Sequence, residues 1–393
     1  MVNHFKHRVN RVMKRRILVF FGLALLSGCA FASVSHDDQI VTPTLPPCTV
    51  STDLSAPSNQ EEMRIKKNGN RVGAVSLQSE SLFVLFIPEP PSNPQVVEFN
   101  LRDGSEDDAR TLPSQNVKLA RFDIRTNTLV TASPTVSCPP LIQSQTCWQI
   151  ENWNLKADKL EATAHRFTGP LHDLAVSTDG GWALEAGNIL ELVNLDEPSE
   201  RKGYVFAGLR EQEAVSAVFD LQDKFIAYGL KVFDNQNGIT SGEVQVEGWN
   251  GTLETSAPFS AKIDLGLIKL GRASWFDLDQ IPIALALDSS RGWLAVQTMN
   301  SFELRNLSAL YDISKGPVVM PKSENGVIRF NPIQPSIAIA HSEGLSVLSL
   351  PHLDSLFTKK GPAVTSLSYS NDGCLLAWGD VEGTVHIINA PKP

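Results

Sequence analysis

The side chains best suited to covalent chemistry in this chain are its five cysteines, and their spacing limits what they can do. No two cysteines form a CxxC pair and no two histidines form an HxxxH pair, so these zinc-ligand spacings are missing. The eight histidines are dispersed, and no Gly-x-Ser-x-Gly element or Ser-His-Asp arrangement accompanies them. We therefore expect no catalytic residues, no metal site and no bound cofactor apart from covalent lipid, discussed next.

One cysteine, Cys29, stands in a different setting from the other four. It follows six basic side chains and an apolar run, Ile17–Leu26, which is the layout of a secretory signal peptide. The run is too short to cross a bilayer, which needs roughly 20 apolar residues. The stretch Leu26-Ser27-Gly28-Cys29 closely resembles the lipobox of bacterial lipoproteins. In that family, cleavage occurs just before the cysteine, which carries diacylglycerol and a fatty acid.

The lipobox resemblance implies a location as well as a modification. Residues 1–28 would be removed, and Cys29 would attach the chain to a membrane through its diacylglycerol and fatty acid. Ala30, where an aspartate would imply inner-membrane retention, implies the outer membrane of a Gram-negative bacterium, with the protein facing the periplasm. Two alternatives stay open: inner-membrane anchoring, and secretion to the periplasm after cleavage behind Ala30-Phe31-Ala32.

The charge of the chain argues against two classes of partner. The whole sequence carries 34 basic and 43 acidic residues, for a net charge of −9. Removing residues 1–28, with their six basic side chains, leaves 28 basic residues and a net charge of −15. Phosphate binding relies on clustered Lys and Arg, so we expect no nucleic-acid partner. Binding to anionic lipid headgroups is disfavoured for the same reason, which leaves attachment to the acyl anchor.

The four remaining cysteines suggest disulfides. An even number of cysteines in an oxidising compartment is typical of disulfide-bonded proteins, and four cysteines allow three connectivities. We favour Cys138–Cys147, which would close a short loop between two predicted strands, and Cys48–Cys374. Buried free thiols are the alternative.

Internal repeats indicate the fold. Residues 29–59 are rich in Pro, Ser and Thr and predict a flexible tether. From residue 60 to residue 393 the chain consists of short apolar runs separated by turn residues, without helical periodicity. In the last repeat, strand Ala363–Ser370 is followed by the turn Asn371–Gly373, in which glycine supplies the positive φ that hairpins need. Six further units share this register, with first strands near Val72, Val117, Leu171, Val215, Ile283 and Val327.

These repeats resemble degenerate WD40 units, whose pattern is an apolar strand, Ser-x-Asp-Gly, a second strand, a polar turn and a third strand. Four-stranded units repeated radially form a propeller. We therefore predict an all-β, seven-bladed β-propeller; a two-sheet sandwich is the rival fold. Predicted outer strands lie before the next unit at Thr163–Phe167, Val205–Leu209, Ser274–Leu278, Val318–Pro321 and Leu356–Lys359.

The N-terminal segment is predicted to close the ring. Met63–Lys67 has no earlier blade to complete, so we expect it to pair with the last repeat. A Cys48–Cys374 bridge would lock this closure and stabilise the fold by about 2–4 kcal/mol.

Three polar stretches look like sites but are interpreted as turns or loops. Ser177–Trp182 is similar to the Asp box of sialidases, which is a structural hairpin in that family. Asp234–Gly238 lacks the Glu at position 12 that an EF-hand requires, since Gln245 stands there. Asp103–Asp108 is expected to be an acidic, solubilising outer loop.

The function expected from the sequence is a membrane-anchored periplasmic scaffold for protein–protein interaction, monomeric and without intrinsic catalysis. Its partner would be another envelope protein, bound by loops on the flat faces of the propeller. The alternative is a small-ligand-binding or hydrolytic propeller that uses the central channel. That alternative predicts polar and ionisable side chains with perturbed pKa values converging at one mouth of the channel. Acidic and histidine side chains from three or more blades within reach of each other would favour it, and a channel lined by Val, Ala and Ser would count against it.

Overall fold

The innermost strand of each repeat is short and partly apolar, and it begins a four-stranded antiparallel sheet. A computed structural model describes residues 63–78, 80–114, 116–123, 128–135, 146–157, 160–204, 211–234, 239–249, 274–278, 280–307, 313–321, 323 and 326–393. Within these residues the chain forms seven four-stranded sheets. No helix among them is long and apolar enough to cross a membrane.

The first three complete sheets, blades 1 to 3, follow the chain from the inner to the outer strand. Blade 1 comprises β2 (Asn70–Leu77), β3 (Ser81–Pro88), β4 (Gln95–Asn100) and β5 (Glu106–Thr111). Blade 2 comprises β6 (Leu119–Phe122), β7 (Thr128–Thr135), β8 (Cys147–Asn154) and β9 (Ala162–Thr168). Blade 3 comprises β10 (Leu171–Val176), β11 (Trp182–Gly187), β12 (Leu190–Asn194) and β13 (Arg201–Tyr204).

Blades 4 to 6 repeat the same order. Blade 4 comprises β14 (Glu211–Phe219), β15 (Phe225–Asp234), β16 (Ile239–Gly248) and β17 (Ser274–Leu278). Blade 5 comprises β18 (Pro282–Asp288), β19 (Trp293–Thr298), β20 (Ser301–Asn306) and β21 (Ile313–Val319). Blade 6 comprises β22 (Val327–Phe330), β23 (Ser336–His341), β24 (Gly344–Ser349) and β25 (Ser355–Lys360).

Blade 7 joins the two ends of the described chain. It comprises β26 (Val364–Tyr369), β27 (Leu375–Asp380), β28 (Thr384–Asn389) and, as its outer strand, β1 (Met63–Lys66). Met63 pairs with Ile387 and Lys66 with Thr384. The prediction that the N-terminal segment closes the ring is therefore confirmed. Each inner strand contacts those of its neighbours, and β2 contacts β26, so the fold is a seven-bladed β-propeller.

The hydrophobic core is divided among the interfaces between blades. Seven clusters of buried side chains are described, each drawn from two neighbouring blades. Between blades 3 and 4, Trp249 packs edge-to-face on Trp182, with ring centroids 6.1 Å apart, and contacts Phe219 at 4.9 Å. Between blades 7 and 1 the backbones approach closely, because a Cβ at Gly379 would lie 2.2 Å from Val72. Burial of this apolar surface is the main force that holds the ring together.

The hairpin turns use the chemistry that the sequence predicts. Ser177 Oγ donates to Asp179 Oδ1 at 2.5 Å, and that oxygen also accepts the amide of Gly181. The turn after β26 repeats the first of these bonds between Ser370 and Asp372 at 2.6 Å, with Gly373 at a φ of 67°. Such turns satisfy backbone amides with a local carboxylate. The stretch similar to an Asp box is therefore a hairpin turn, as expected.

Two outer strands differ from the expectations. The outer strand of blade 1, Glu106–Thr111, includes half of the stretch expected to be an acidic loop. In blade 3 the described outer strand is Arg201–Tyr204, and the predicted strand Val205–Leu209 lies outside the described residues. In blade 5 the outer strand is Ile313–Val319, displaced toward the N-terminus from Val318–Pro321. An outer strand faces solvent, as the alternating exposure of β5 shows, so it need not carry the apolar alternation on which strand prediction depends.

Candidate functional site

A central cavity lies where the seven inner strands meet. Its volume is about 620 Å³, and residues from the inner strand of every blade line it. The lining continues to the turns that follow these strands, including Leu221, Gln222, Ile333 and Asn371. The cavity therefore opens on the face that carries the turns between the first and second strand of each blade.

Most of the cavity wall is small or apolar. Ala217, Ala286 and Leu367 are typical members, and each is less than 10 % exposed. Four charged side chains interrupt this wall: Arg121, Asp123, Asp173 and Arg329. They come from blades 2, 3 and 6, and none of them is a histidine.

The two arginines stand at equivalent positions of the propeller. Each is the penultimate residue of its inner strand, in Leu119-Ala120-Arg121-Phe122 and in Val327-Ile328-Arg329-Phe330. Each also donates from Nη1 to the carbonyl of the preceding residue, at 2.9 Å for Arg121 and 3.0 Å for Arg329. The shared register places both guanidinium groups at one level of the channel.

The surroundings of the two arginines differ. Arg121 Nη2 donates to Asp173 Oδ1 at 2.7 Å, which makes a salt bridge with blade 3. Arg329 makes no salt bridge with any residue that the structure describes. Burial, with a smaller contribution from the nearby charge of Arg121, lowers the pKa of Arg329 to about 10, and Asp173 opposes this decrease. Arg329 is therefore a protonated cation at pH 7.

Asp173 has little capacity left for a second arginine. Its Oδ1 accepts the amide of Leu174 at 2.8 Å in addition to Arg121, and its Oδ2 accepts the amide of Ala217 at 3.1 Å. The other carboxylate of the lining, Asp123, is 2 % exposed in the turn after β6 and has contacts of its own. The four charged side chains of the lining sum to zero, but of the two guanidinium groups only that of Arg121 is in a salt bridge among the described residues.

The described histidines lie away from this cavity. His172 Nε2 pairs with Glu213 at 2.5 Å near the start of the inner strands. His386 stacks on Trp378, with centroids 4.8 Å apart, and pairs with Asp380. Burial lowers the pKa of His341. The interpretation of the histidines as structural residues is consistent with these contacts.

A second polar cluster lies between blades 2 and 3. His165 of β9 pairs with Glu185 of β11, which is fully buried, and Glu185 pairs across the sheet with Glu191. Burial and the charge of Glu185 raise the pKa of Glu191, while Arg201 opposes this increase. No group of three or more His, Cys, Asp or Glu side chains suited to a metal ion occurs among the described residues.

The cysteines predicted as sites are only partly described. Cys147 begins β8 and is fully buried, and Cys374 stands just before β27 and is 6 % exposed. Neither is a free thiol in the structure. Cys29, Cys48 and Cys138 lie outside the described residues, as do residues 235–238 of the rejected calcium loop, so lipidation and both disulfide pairings stay predictions.

Sequence reasoning missed the arginines, although the sequence contains a signal for them. The motif Arg-Phe followed by Asp123 or Asn331 ends the first strand of two repeats. First-strand ends of a propeller line its channel, so a charged residue recurring there indicates a channel site. Trp249 is 5 % exposed and lies in the core between blades 3 and 4.

Comparison with models of known protein families gives no match, and comparison with curated protein sequences gives none either. The structural assignment therefore rests on the chain itself: it is a seven-bladed β-propeller with a charged central cavity.

Proposed function

We propose that this protein is a non-catalytic binding protein that takes a small molecule into the central cavity of its propeller. The observation that carries the proposal is the cavity of about 620 Å³, whose apolar wall is interrupted by charged groups from three blades. Ligand sites of proteins are typically concave, mostly apolar and supplied with a few convergent polar groups.

Binding is favoured over hydrolysis by the side chains that face the cavity. Within the described lining there is no histidine and no cysteine, the side chains that most often act as general base or as activated nucleophile. The carboxylate of Asp173 is engaged by Arg121 and by two backbone amides. Such a carboxylate is suited to holding the guanidinium of Arg121 in place.

The ligand would enter from the face that carries the inner-strand turns, and this suggests the test. Gln222 and Asn371 are exposed residues of the cavity mouth. The double change Gln222→Trp and Asn371→Trp should obstruct the mouth without disturbing the core. The matched control is Glu197→Trp, an exposed site in the turn after β12.

The three full-length proteins should be purified from their native membranes in a neutral detergent and compared by native mass spectrometry. We expect a small molecule to leave with the wild type and the control but not with the double variant. Equal amounts in all three proteins, or a molecule that tryptophan at the mouth does not displace, would contradict the proposal.

The cellular setting is proposed from the sequence motif. We propose that Cys29 is lipidated and holds the propeller at the periplasmic face of the outer membrane. Growth with a labelled fatty acid should label the wild type and leave Cys29→Ala unlabelled. Label that persists in the variant would show that the cysteine is not the acceptor. Fractionation of the two membranes then distinguishes outer from inner localisation.

The interaction scaffold expected from the sequence stays a prediction, as does the kinship of the repeats with WD40 units. Crosslinking in intact cells, with Cys29→Ala as the control, tests the scaffold.

Met299 and Val319 are 42 % and 86 % exposed and lie close together in blade 5, on the face opposite the cavity mouth. Charged substitutions there should remove a partner bound to that face without changing the cavity.

A further inference from the structure

The two channel arginines face different residues on the blades that follow them. Asp173 stands four residues before Ser177, which begins the turn after β10. In blade 7 the residue four positions before the equivalent Ser370 is Ser366. Both residues follow the same irregularity of strand pairing, between Leu171 and Asp173 and between Val364 and Ser366. Arg121 therefore faces an aspartate on the following blade, whereas the corresponding residue for Arg329 is a serine.

That serine does not neutralise the arginine. Ser366 is 8 % exposed, and its hydroxyl has no hydrogen-bond partner among the described residues. Ser76, in the first blade and at the level of the arginines, is 1 % exposed and its hydroxyl is likewise unpartnered. The part of the cavity wall between Arg329 and Arg121 that crosses blades 7 and 1 thus carries polar groups that lack partners.

Arg329 retains a free hydrogen-bonding edge. Its one bond to the described residues runs from Nη1 to the carbonyl of Ile328. The Nε–Nη2 edge of a guanidinium presents two parallel N–H donors, which match the two oxygens of a carboxylate. Arg329 is half-buried, and a cation that is partly withdrawn from water without a counter-ion is unfavourable, so an anion placed at this edge would relieve a cost that the fold otherwise carries.

We propose that the ligand of the central cavity is an organic oxyanion, above all a carboxylate with an apolar body, and that Arg329 binds its charged group. This inference rests on the proposed function, because it names the class of ligand that the same cavity takes. The carboxylate lies against the Nε–Nη2 edge of Arg329, and the apolar body points toward the mouth.

The apolar wall favours an organic anion over an inorganic one. Leu285, Ile328 and Leu367 line the cavity, and Leu221 and Ile333 continue this surface to the mouth. A phosphate or sulfate ion would satisfy the arginine but leave that surface in contact with water. A ligand with a hydrocarbon body removes it from water, which contributes about 25 cal/mol for each Å² buried.

The test uses the full-length protein in neutral detergent, after its own ligand has been removed, and isothermal titration calorimetry. The probes are straight-chain and phenyl-substituted carboxylates of increasing length, the amide of each, and inorganic phosphate. We expect at least one carboxylate to bind, and its uncharged amide to bind about tenfold or more weakly, since hydrogen bonds to charged groups are the stronger ones.

Three variants assign the effect to the guanidinium. Arg329→Gln should abolish the preference for the carboxylate over the amide. Ser366→Asp should do the same while keeping the arginine, because it supplies in blade 7 the carboxylate that Asp173 supplies in blade 3. Arg102→Gln, a matched change at an exposed arginine of the turn after β4, should change nothing. Circular dichroism checks that each variant is folded.

The outcomes separate this inference from the proposed function. Amides that bind as tightly as carboxylates, or a preference that survives both Arg329→Gln and Ser366→Asp, would overturn the oxyanion assignment and leave cavity binding intact. Binding of phosphate alone would overturn the organic ligand. If no carboxylate binds, the inference fails, and the displacement experiment with tryptophan at the mouth decides separately whether the cavity binds anything.

Discussion

Blades 2 and 6 end their inner strands on nearly the same residues, yet the half-buried guanidinium of each blade has different surroundings. Arg121 pairs with Asp173 of the following blade at 2.7 Å. Arg329, at the equivalent position, has Ser366 on the following blade and no salt bridge among the described residues. The fold can thus neutralise a channel arginine with one residue of the next blade. Where it does not, the positive charge is available to a ligand.

The largest effect is expected when the aspartate opposite Arg121 is replaced by serine, the residue that stands opposite Arg329. Asp173→Ser should lower the free energy of unfolding by about 2–3 kcal/mol, because removing one partner of a half-buried ion pair leaves the other without its counter-ion. The amide of Ala217 loses its acceptor as well. Urea unfolding of the full chain measures the change, with Asp196→Ser at an exposed turn as the control. A loss no larger than that of the control would show that the pair contributes nothing to stability.

The same substitution at the two arginines should have opposite signs. Arg121→Met leaves the carboxylate of Asp173 without its guanidinium partner, so we expect the free energy of unfolding to fall by about 1–2 kcal/mol. Arg329→Met removes a half-buried charge that has no salt bridge among the described residues and keeps an apolar side chain of similar length, so we expect a gain of about 1 kcal/mol. Thermal and urea unfolding of the ligand-free proteins give both values. A loss at Arg329 as large as the loss at Arg121 would mean that Arg329 has a structural role after all.

The smallest effect is a pH dependence confined to Arg329. Its pKa is about 10 in the folded protein, below the ordinary value of 12.5, so above pH 10 the folded state has lost a proton that the unfolded state still binds. The free energy of unfolding of the wild type, relative to that of Arg329→Met, therefore rises with pH above pH 9. The increase is about 1 kcal/mol at pH 11, and the difference is constant below pH 9. Urea unfolding of both proteins from pH 8 to pH 11 measures it. A constant difference across that range would contradict the altered pKa.

Much of the fold could be predicted from local patterns. The turn Asn371–Gly373 and the inner strands that precede such turns carry strong signals, because positive φ and buried alternation each require particular residues. The outer strand Ser274–Leu278 and the closing strand were also predicted correctly. The acidic outer strand Glu106–Thr111 was not, since a solvent-exposed strand gains its stability from backbone pairing with β4 and not from side-chain burial.

The candidate site was harder to predict than the fold. Arg121 and Arg329 are far apart in sequence, and each alone is an ordinary charged residue near a strand end. Their significance depends on the shared register of blades 2 and 6 and on the identity of the residues that follow around the ring. The principal group of the site is also a cation, whereas the usual participants in catalysis are histidines and carboxylates, so motifs of catalysis do not indicate it.

The closing strand has a consequence for how the chain folds. β1 pairs with β28, so Met63 and Ile387 must meet although they lie near opposite ends of the described chain. Contacts between residues so distant in sequence slow folding, because a long loop must be closed first. Until then β28 is an edge strand with unpaired backbone groups, which is a template for intermolecular pairing. We therefore expect this protein to be most prone to aggregate while β1 and β28 are unpaired, and a chaperone to have most effect then.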